Sequence, residues 1–289
     1  MRLGLHIPSF TWSGGPDDIG ERLGEIAVTA DEVGFDRISV MDHLFQIGNL
    51  GPPEHAMLEA YSTLGYLAAK TSSAKLLALC TAVVYREPGL LAKAVTTLDV
   101  ISGGRAMLGI GAAWNGEEAT ALGLPFPPTA ERFERLEEAL QVCLQMWSDS
   151  DAPFEGHYYH LGRTLNAPQS LTRPHPPILI GGSGEQKTLR LVATYADACN
   201  LSPGDLEHKL DVLRTHCEAV GRPYDEIEKT VIYSFDPGDD GANCAKIVDE
   251  LGALAELGIT VAHGPVVNVS AITPIEVIGE LVMPEIASF

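Results

Sequence analysis

The chain has 289 residues, 45% of them hydrophobic and 20% charged, which suits one large globular domain or two small ones. Nineteen basic residues against thirty-nine acidic ones leave a formal net charge of -20. That field repels a nucleic-acid backbone or an anionic membrane, so it argues against both as general partners.

Strand-like and helix-like stretches alternate along the chain. Residues 3–7 read as a buried strand, and residues 17–33 as a helix that stops at Gly34, a residue suited to a left-handed C-cap. A second strand (37–40) and helix (56–72) follow, then a third strand (76–80) and a helix (89–101) that closes at Ser-Gly-Gly. The fourth strand, 106–110, opens the stretch AMLGIGAAWNGEEATALG. There an apolar run breaks into glycines, and Asn115 or Gly116 starts a helix with Glu117 and Glu118 favoured in its first turn. Residues 129–147 supply the next helix. Residues 151–177, rich in proline, tyrosine and histidine, then interrupt the pattern, and PFEGHYYHL reads as an inserted hairpin. Strands at 178–180, 198–201, 230–235 and 259–262 resume it, with helices at 186–195, 206–220, 242–257 and 274–286.

About eight βα units in a chain of this size predict a (β/α)8 TIM barrel, an α/β fold, as a single domain over residues 1–289. The hairpin-containing insertion falls between strands four and five. A doubly wound open sheet competes, but it needs fewer strands and usually has one dominant phosphate loop. The five cysteines are scattered and odd in number, with no C-x-x-C pair, which argues against a disulfide framework and fits a reducing cytoplasm. The N-terminus MRLGLHIPSFTW has no signal-peptide core, and no apolar span reaches membrane length, so the expected location is cytoplasmic.

A barrel carries its chemistry at the C-terminal ends of its strands, which shortens the candidate list. His6 and the loop holding Trp12 follow strand one, and Asp42 and His43 follow strand two. Asn200 follows strand six, and His263 follows strand eight. His43 is the candidate acid or base, because an imidazole titrates near neutral pH; the competing reading is a strand-end histidine bonded to a carbonyl. Asp42 is the neighbour that would fix its tautomer, although adjacent residues on an extended chain point apart. IGGSGEQ is the anion signal: Gly181, Gly182 and Gly184 let backbone N–H groups turn inward just before a helix, with Ser183 between them. It has neither the Walker A nor the Rossmann spacing. His157 and His160 lack a third ligand, so no metal site is expected.

Three segments together resemble the luciferase-like monooxygenase superfamily, in its deazaflavin-dependent oxidoreductase branch. They are SVMDH, the run from YREPGLLAKAV through GIGAAWNGEEATALG to ERLEEAL, and PPILIGGSGEQKTLRLVATYADACNL. The likeness covers the chain to about Leu201 and thins beyond it. It implies a TIM barrel with an insertion, holding the 5-deazaflavin coenzyme F420, or alternatively FMN, and hydride transfer to or from a small organic substrate. On this resemblance His43 is the catalytic residue. Leu79, Cys80, Thr81 and Ala82, with Gly111 and Ala112, line the cofactor ring, and Gly109 and Gly111 let the backbone pass close to it. Asp42 joins the cofactor site, and Gly181, Gly182, Ser183 and Gly184 take the phosphate. Many relatives carry a non-proline cis peptide after strand three, which falls at Leu79–Cys80.

The substrate pocket is expected from His6, Trp12, Trp114, Asn200 and His263, with Glu118 bracing the loop. Sugar-phosphate dehydrogenases of this branch have a catalytic glutamate where this chain has Trp114, a departure that argues against a sugar-phosphate substrate. The longer anionic tail of the deazaflavin calls for a basic exit, for which Arg86, Lys93 and Lys187 are the candidates. An FMN-dependent monooxygenase and a flavin-binding protein without turnover remain as rivals. Superfamily members are often dimers, which leaves a homodimer open to this chain.

Overall fold

A computed structural model describes residues 1–289. Strand β1 (Arg2–Ile7) is buried from its second residue on, and helix α1 (Ile19–Val33) follows. Leu23, Ile26, Ala27 and Ala30 form one buried stripe of α1, and Gly34 ends it at φ 102° with its N–H on the Ala30 carbonyl. After β2 (Arg37–Val40) the chain runs through a loop with turns near Ile47 and Pro52 before α2 (Ala60–Lys70), which starts four residues later than expected. The Glu59 side chain accepts from the Ser62 N–H and so sets the start of α2. Next come β3 (Lys75–Ala78), β4 (Thr81–Ala82) and α3 (Pro88–Ser102), the last with proline in its first turn and Gly103 at its end. The Leu79–Cys80 peptide between β3 and β4 is cis.

Strand β5 (Leu108–Gly111) leads to α4 (Gly116–Ala121), capped by Asn115, and then to α5 (Thr129–Met146). The short strands β6 (Phe154–Glu155) and β7 (His160–Leu161) pair antiparallel before β8 (Ile178–Gly181). Four further units complete the chain. They are α6 (Thr188–Tyr195) after β8, β9 (Ala198–Leu201) with α7 (Leu206–Val220), β10 (Glu228–Ile232) with α8 (Cys244–Glu256), and β11 (Val261–Gly264) with α9 (Thr273–Leu281) and α10 (Met283–Ile286). The single last helix expected over 274–286 is two, broken at Val282 ahead of Pro284. Phe235, expected to end its strand, instead makes one isolated bridge to Val266. No helix is long and apolar enough to cross a membrane.

The nine main strands run β3-β2-β1-β11-β10-β9-β8-β5-β4, all pairs parallel. β3 and β4 are successive pieces of one staggered position, which makes eight positions around the ring. The Leu76 N–H donates to the Arg105 carbonyl and the Met107 N–H to the Leu76 carbonyl, so β3 also meets the approach to β5 and the barrel closes. The large apolar cluster lies between strands and helices. The alternate residues Leu77, Leu79, Met107, Leu179 and Ala198 make a small separate cluster on the inner face. Gly109 is bare because a Cβ there would stand 2.0 Å from the Ala78 carbonyl oxygen, so its role is the approach of two strands. It does not line the site described next, contrary to the expectation for it.

Candidate active site

A cavity of about 430 Å³ opens at the C-terminal ends of the strands. Asp42 and His43 from beyond β2, the residues from Leu79 to Ala82, and those from Gly111 to Asn115 line it. So do the residues from Gly181 to Gly184, together with Asn200 and Ile232 at the ends of β9 and β10. The structure thus brings together, from five separate loops, most of the residues singled out in the sequence.

Asp42 and His43 diverge, as neighbours on an extended chain must. The buried Asp42 accepts through Oδ2 from the Ala82 N–H at 3.0 Å and from Arg86 at 2.7 Å. Burial pushes its carboxyl above the usual carboxylate range, against the pull of the Arg86 charge. Its Oδ1 is buried without a partner. Asp42 therefore does not fix the His43 tautomer; Glu118 does. His43 Nδ1 lies 2.5 Å from Glu118 Oε1, while Oε2 accepts from the Leu44 N–H at 2.6 Å and the Phe45 N–H at 3.1 Å. Burial alone would raise the Glu118 carboxyl, but these hydrogen bonds outweigh it and hold the pKa below its ordinary value. A carboxylate only accepts, so Nδ1 carries hydrogen and Nε2 is the available ring nitrogen. The Tyr85 hydroxyl beside this carboxylate is pushed up by burial and by the same charge. Trp114, 66% exposed, meets the His43 ring edge-on at 5.3 Å between centroids.

The loop after β5 is set by local chemistry. Ala113 turns it at φ 61°, the Asn115 side chain accepts from the Glu117 N–H, and Arg132 Nε donates to the Ala112 carbonyl at 2.9 Å. The other guanidinium nitrogens of Arg132 bind the Pro127 carbonyl and Thr129 Oγ1, so one side chain ties both ends of the segment to α5. On the glycine loop, a Cβ at Gly181 would meet Cys80 Sγ at 2.4 Å, and Gly182 sits at φ 120°. Ser183 Oγ accepts from the Ser202 N–H. Helix α6 begins at Thr188, so a turn separates it from Gly184. Burial pushes the Cys80 thiol up to about 12, which leaves it protonated and a poor nucleophile.

Several expectations need correction. His6 and His263 do not line the cavity; they are buried inside the barrel, where His6 Nδ1 lies 2.7 Å and His263 Nε2 2.8 Å from Ser39 Oγ. Both point inward, His6 from β1 and His263 from β11, and Gly4 of β1, paired with His263, makes room for that ring by lacking a side chain. Trp12 packs edge-on against Phe10 at 5.9 Å and also stays off the cavity wall. Arg86 is not a free cation at an exit, since Asp42 and Glu59 both bind it. Lys93 donates to the Ala167 carbonyl. Lys187 alone of the three is beside the cavity without a carboxylate or carbonyl partner, its Nζ 5.6 Å from the centre of the Phe133 ring.

Tyr85, Phe133, Leu136, Thr188 and Ile232 also line the cavity and were not singled out in the sequence. Tyr85 opens the run YREPGLLAKAV that carries the family resemblance, a signal that pointed its way. Phe133 and Leu136 are three apart on α5 and read only as a core-facing stripe. Together these residues offer one oriented imidazole, a protonated thiol, bare backbone and an aromatic rim. That set handles a proton beside a flat or apolar ligand.

The site stands beside those of known proteins. The F420-dependent glucose-6-phosphate dehydrogenase of Kineococcus radiotolerans is 36% identical over 232 residues, 76% of this chain and 65% of that one. The chain therefore spans less than two thirds of that relative's length. Among solved structures, the coenzyme F420 dependent tetrahydromethanopterin reductase of Methanopyrus kandleri superposes with a TM-score of 0.79 at 19% identity, covering 98% of each chain. The monooxygenase RslO1 of Streptomyces bottropensis gives 0.80 at 19% identity, covering 98% of this chain and 99% of that one. Both likenesses establish the barrel fold, and proteins named for different chemistries share it. Residues 1–250 match the family described as luciferase-like monooxygenase, and the chain belongs to that family.

Proposed function

We propose that this protein is an oxidoreductase that moves a hydride between the 5-deazaflavin coenzyme F420 and a small organic substrate, within one domain. The observation that carries the reading is a single cavity that joins the Glu118-held imidazole of His43 to a wall of bare backbone at Gly111, Gly181 and Gly182. The relative named for the same coenzyme supports it.

The residues present fit such a group. Gly181 has no room for a methyl beside Cys80, so backbone itself faces the ligand there. The unpartnered Oδ1 of Asp42 is available to a ligand hydrogen. Leu79, Cys80, Thr81 and Ala82, with Gly111 and Ala112, would hold the ring, and Gly181, Gly182, Ser183 and Gly184 the phosphate. When bound, the deazaflavin supplies the hydride donor or acceptor. His43 takes or gives the substrate's proton at Nε2, while Glu118 holds the ring and stabilises it when charged. Phe133 and Leu136 give the pocket an apolar wall, and Trp114 stands at its rim beside His43.

Turnover under argon and under air tests the reading, using protein loaded with reduced coenzyme F420 and a panel of carbonyl acceptors. Carbon at position five makes the reduced deazaflavin a poor activator of oxygen, so equal rates and no oxygen uptake are expected. Turnover that requires air and consumes oxygen would instead make the protein an FMN-type monooxygenase.

A further inference from the structure

We infer that this site selects an uncharged organic substrate, an alcohol or carbonyl compound without phosphate or carboxylate, an inference that rests on the hydride-transfer reading above. It departs from the substrate in the name of the glucose-6-phosphate dehydrogenase relative. The acidic groups at the cavity are engaged: Asp42 lines it and pairs with Arg86, and Glu118 stands behind His43. No lysine or arginine lines it.

The neighbouring cations are already engaged. Arg86 spans Asp42 and Glu59, Arg132 binds the Ala112 and Pro127 carbonyls, and Lys209 pairs with Glu185. Lys187 does not line the cavity but lies over the Phe133 ring, three residues past Gly184, and within the hydride-transfer reading it is assigned to the coenzyme phosphate. A phosphate or carboxylate on the substrate would therefore shed water against a wall that offers no free cation in exchange, since Arg86 is held by Asp42 and Glu59. The wall instead offers Trp114, Phe133, Leu136 and Ile232 for apolar contact, with the His43 imidazole for one oxygen. The chemistry suits a neutral molecule with one oxygen to bind and an apolar skeleton to cover.

Isothermal titration of the coenzyme-loaded protein with inorganic phosphate and with glucose 6-phosphate tests this directly, because loading fills the glycine loop first. No saturable heat up to about 10 mM is expected, since that limit corresponds to less than about 3 kcal/mol of binding. In turnover, 2-propanol and cyclohexanol should exceed glucose 6-phosphate at least about a hundredfold in kcat/KM, the scale of one uncompensated buried charge. Saturable binding of either phosphate, or preferred turnover of glucose 6-phosphate, would overturn the inference and leave the hydride-transfer reading standing. Failure of the protein to take up coenzyme F420 in an absorbance titration would remove that reading, and this inference with it.

Discussion

His43 and Glu118 lie 75 residues apart in sequence and 2.5 Å apart in space, and the proposed chemistry depends on that contact. Replacing His43 by Ala should lower turnover by about 10²–10⁴-fold, the usual contribution of a general acid or base, and leave coenzyme affinity within about tenfold. Steady-state kinetics beside an absorbance titration would check both halves; near-normal kcat would make His43 a mere wall of the pocket. His6 makes a different kind of prediction. Burial, helped by the nearby His43, lowers its pKa from 6.5 to about 4, so it folds uncharged. Between those values the unfolded chain binds the proton and the folded chain does not. Stability therefore rises with pH across this window and is lost as pH falls from 6.5 toward 4. Urea unfolding should show the native protein losing about 2 kcal/mol more than His6→Gln between pH 7 and pH 5, at about 1.4 kcal/mol per unit. Equal losses would mean that His6 keeps its proton when buried.

At the scale of strands and loops, two glycines on β5 serve different ends. A methyl at Gly109 would strike the Ala78 carbonyl oxygen, whereas at Gly111 the nearest atoms stand at an ordinary 3.6 Å. Gly109→Ala should destabilise the fold by about 3 kcal/mol or more, the upper range for overpacking, because backbone cannot step aside. Gly111→Ala should leave stability within about 1 kcal/mol and weaken coenzyme binding about tenfold. Thermal melts with and without coenzyme separate the two effects. The alternation of strands and helices was legible in the sequence because apolar periodicity, Gly34 and the Asn115 cap are local signals. Pairings across the barrel were not. Arg86 read as a free cation because nothing near it in sequence reveals that Asp42 and Glu59 converge on it. His6 and His263 read as rim residues because strand periodicity gives the face but not the depth within the barrel. The start of α2 was misplaced because apolar residues precede its true cap, Glu59.

Over the whole molecule, a closed parallel barrel gathers loops from distant parts of the chain onto one face. The charge of -20 lies on a scaffold whose glycine loop still suits a phosphate, because binding answers to the local field and not to the total. The same fold carries a monooxygenase and a deazaflavin-dependent reductase among its structural likenesses, so architecture does not choose the coenzyme. The wall formed by Gly111, Gly181 and Gly182 suits the flat ring and phosphate of either coenzyme, and the relative named for coenzyme F420 is what favours that one in the proposed function. Parallel titration of the purified protein with coenzyme F420 and with FMN at moderate salt, followed by absorbance and joined to an oxygen-electrode assay, tests that choice most directly. The account predicts binding of coenzyme F420 at least about tenfold tighter, a difference of about 1.4 kcal/mol, and turnover without oxygen uptake. Tight FMN binding with no detectable binding of coenzyme F420, and turnover that consumes oxygen, would contradict it.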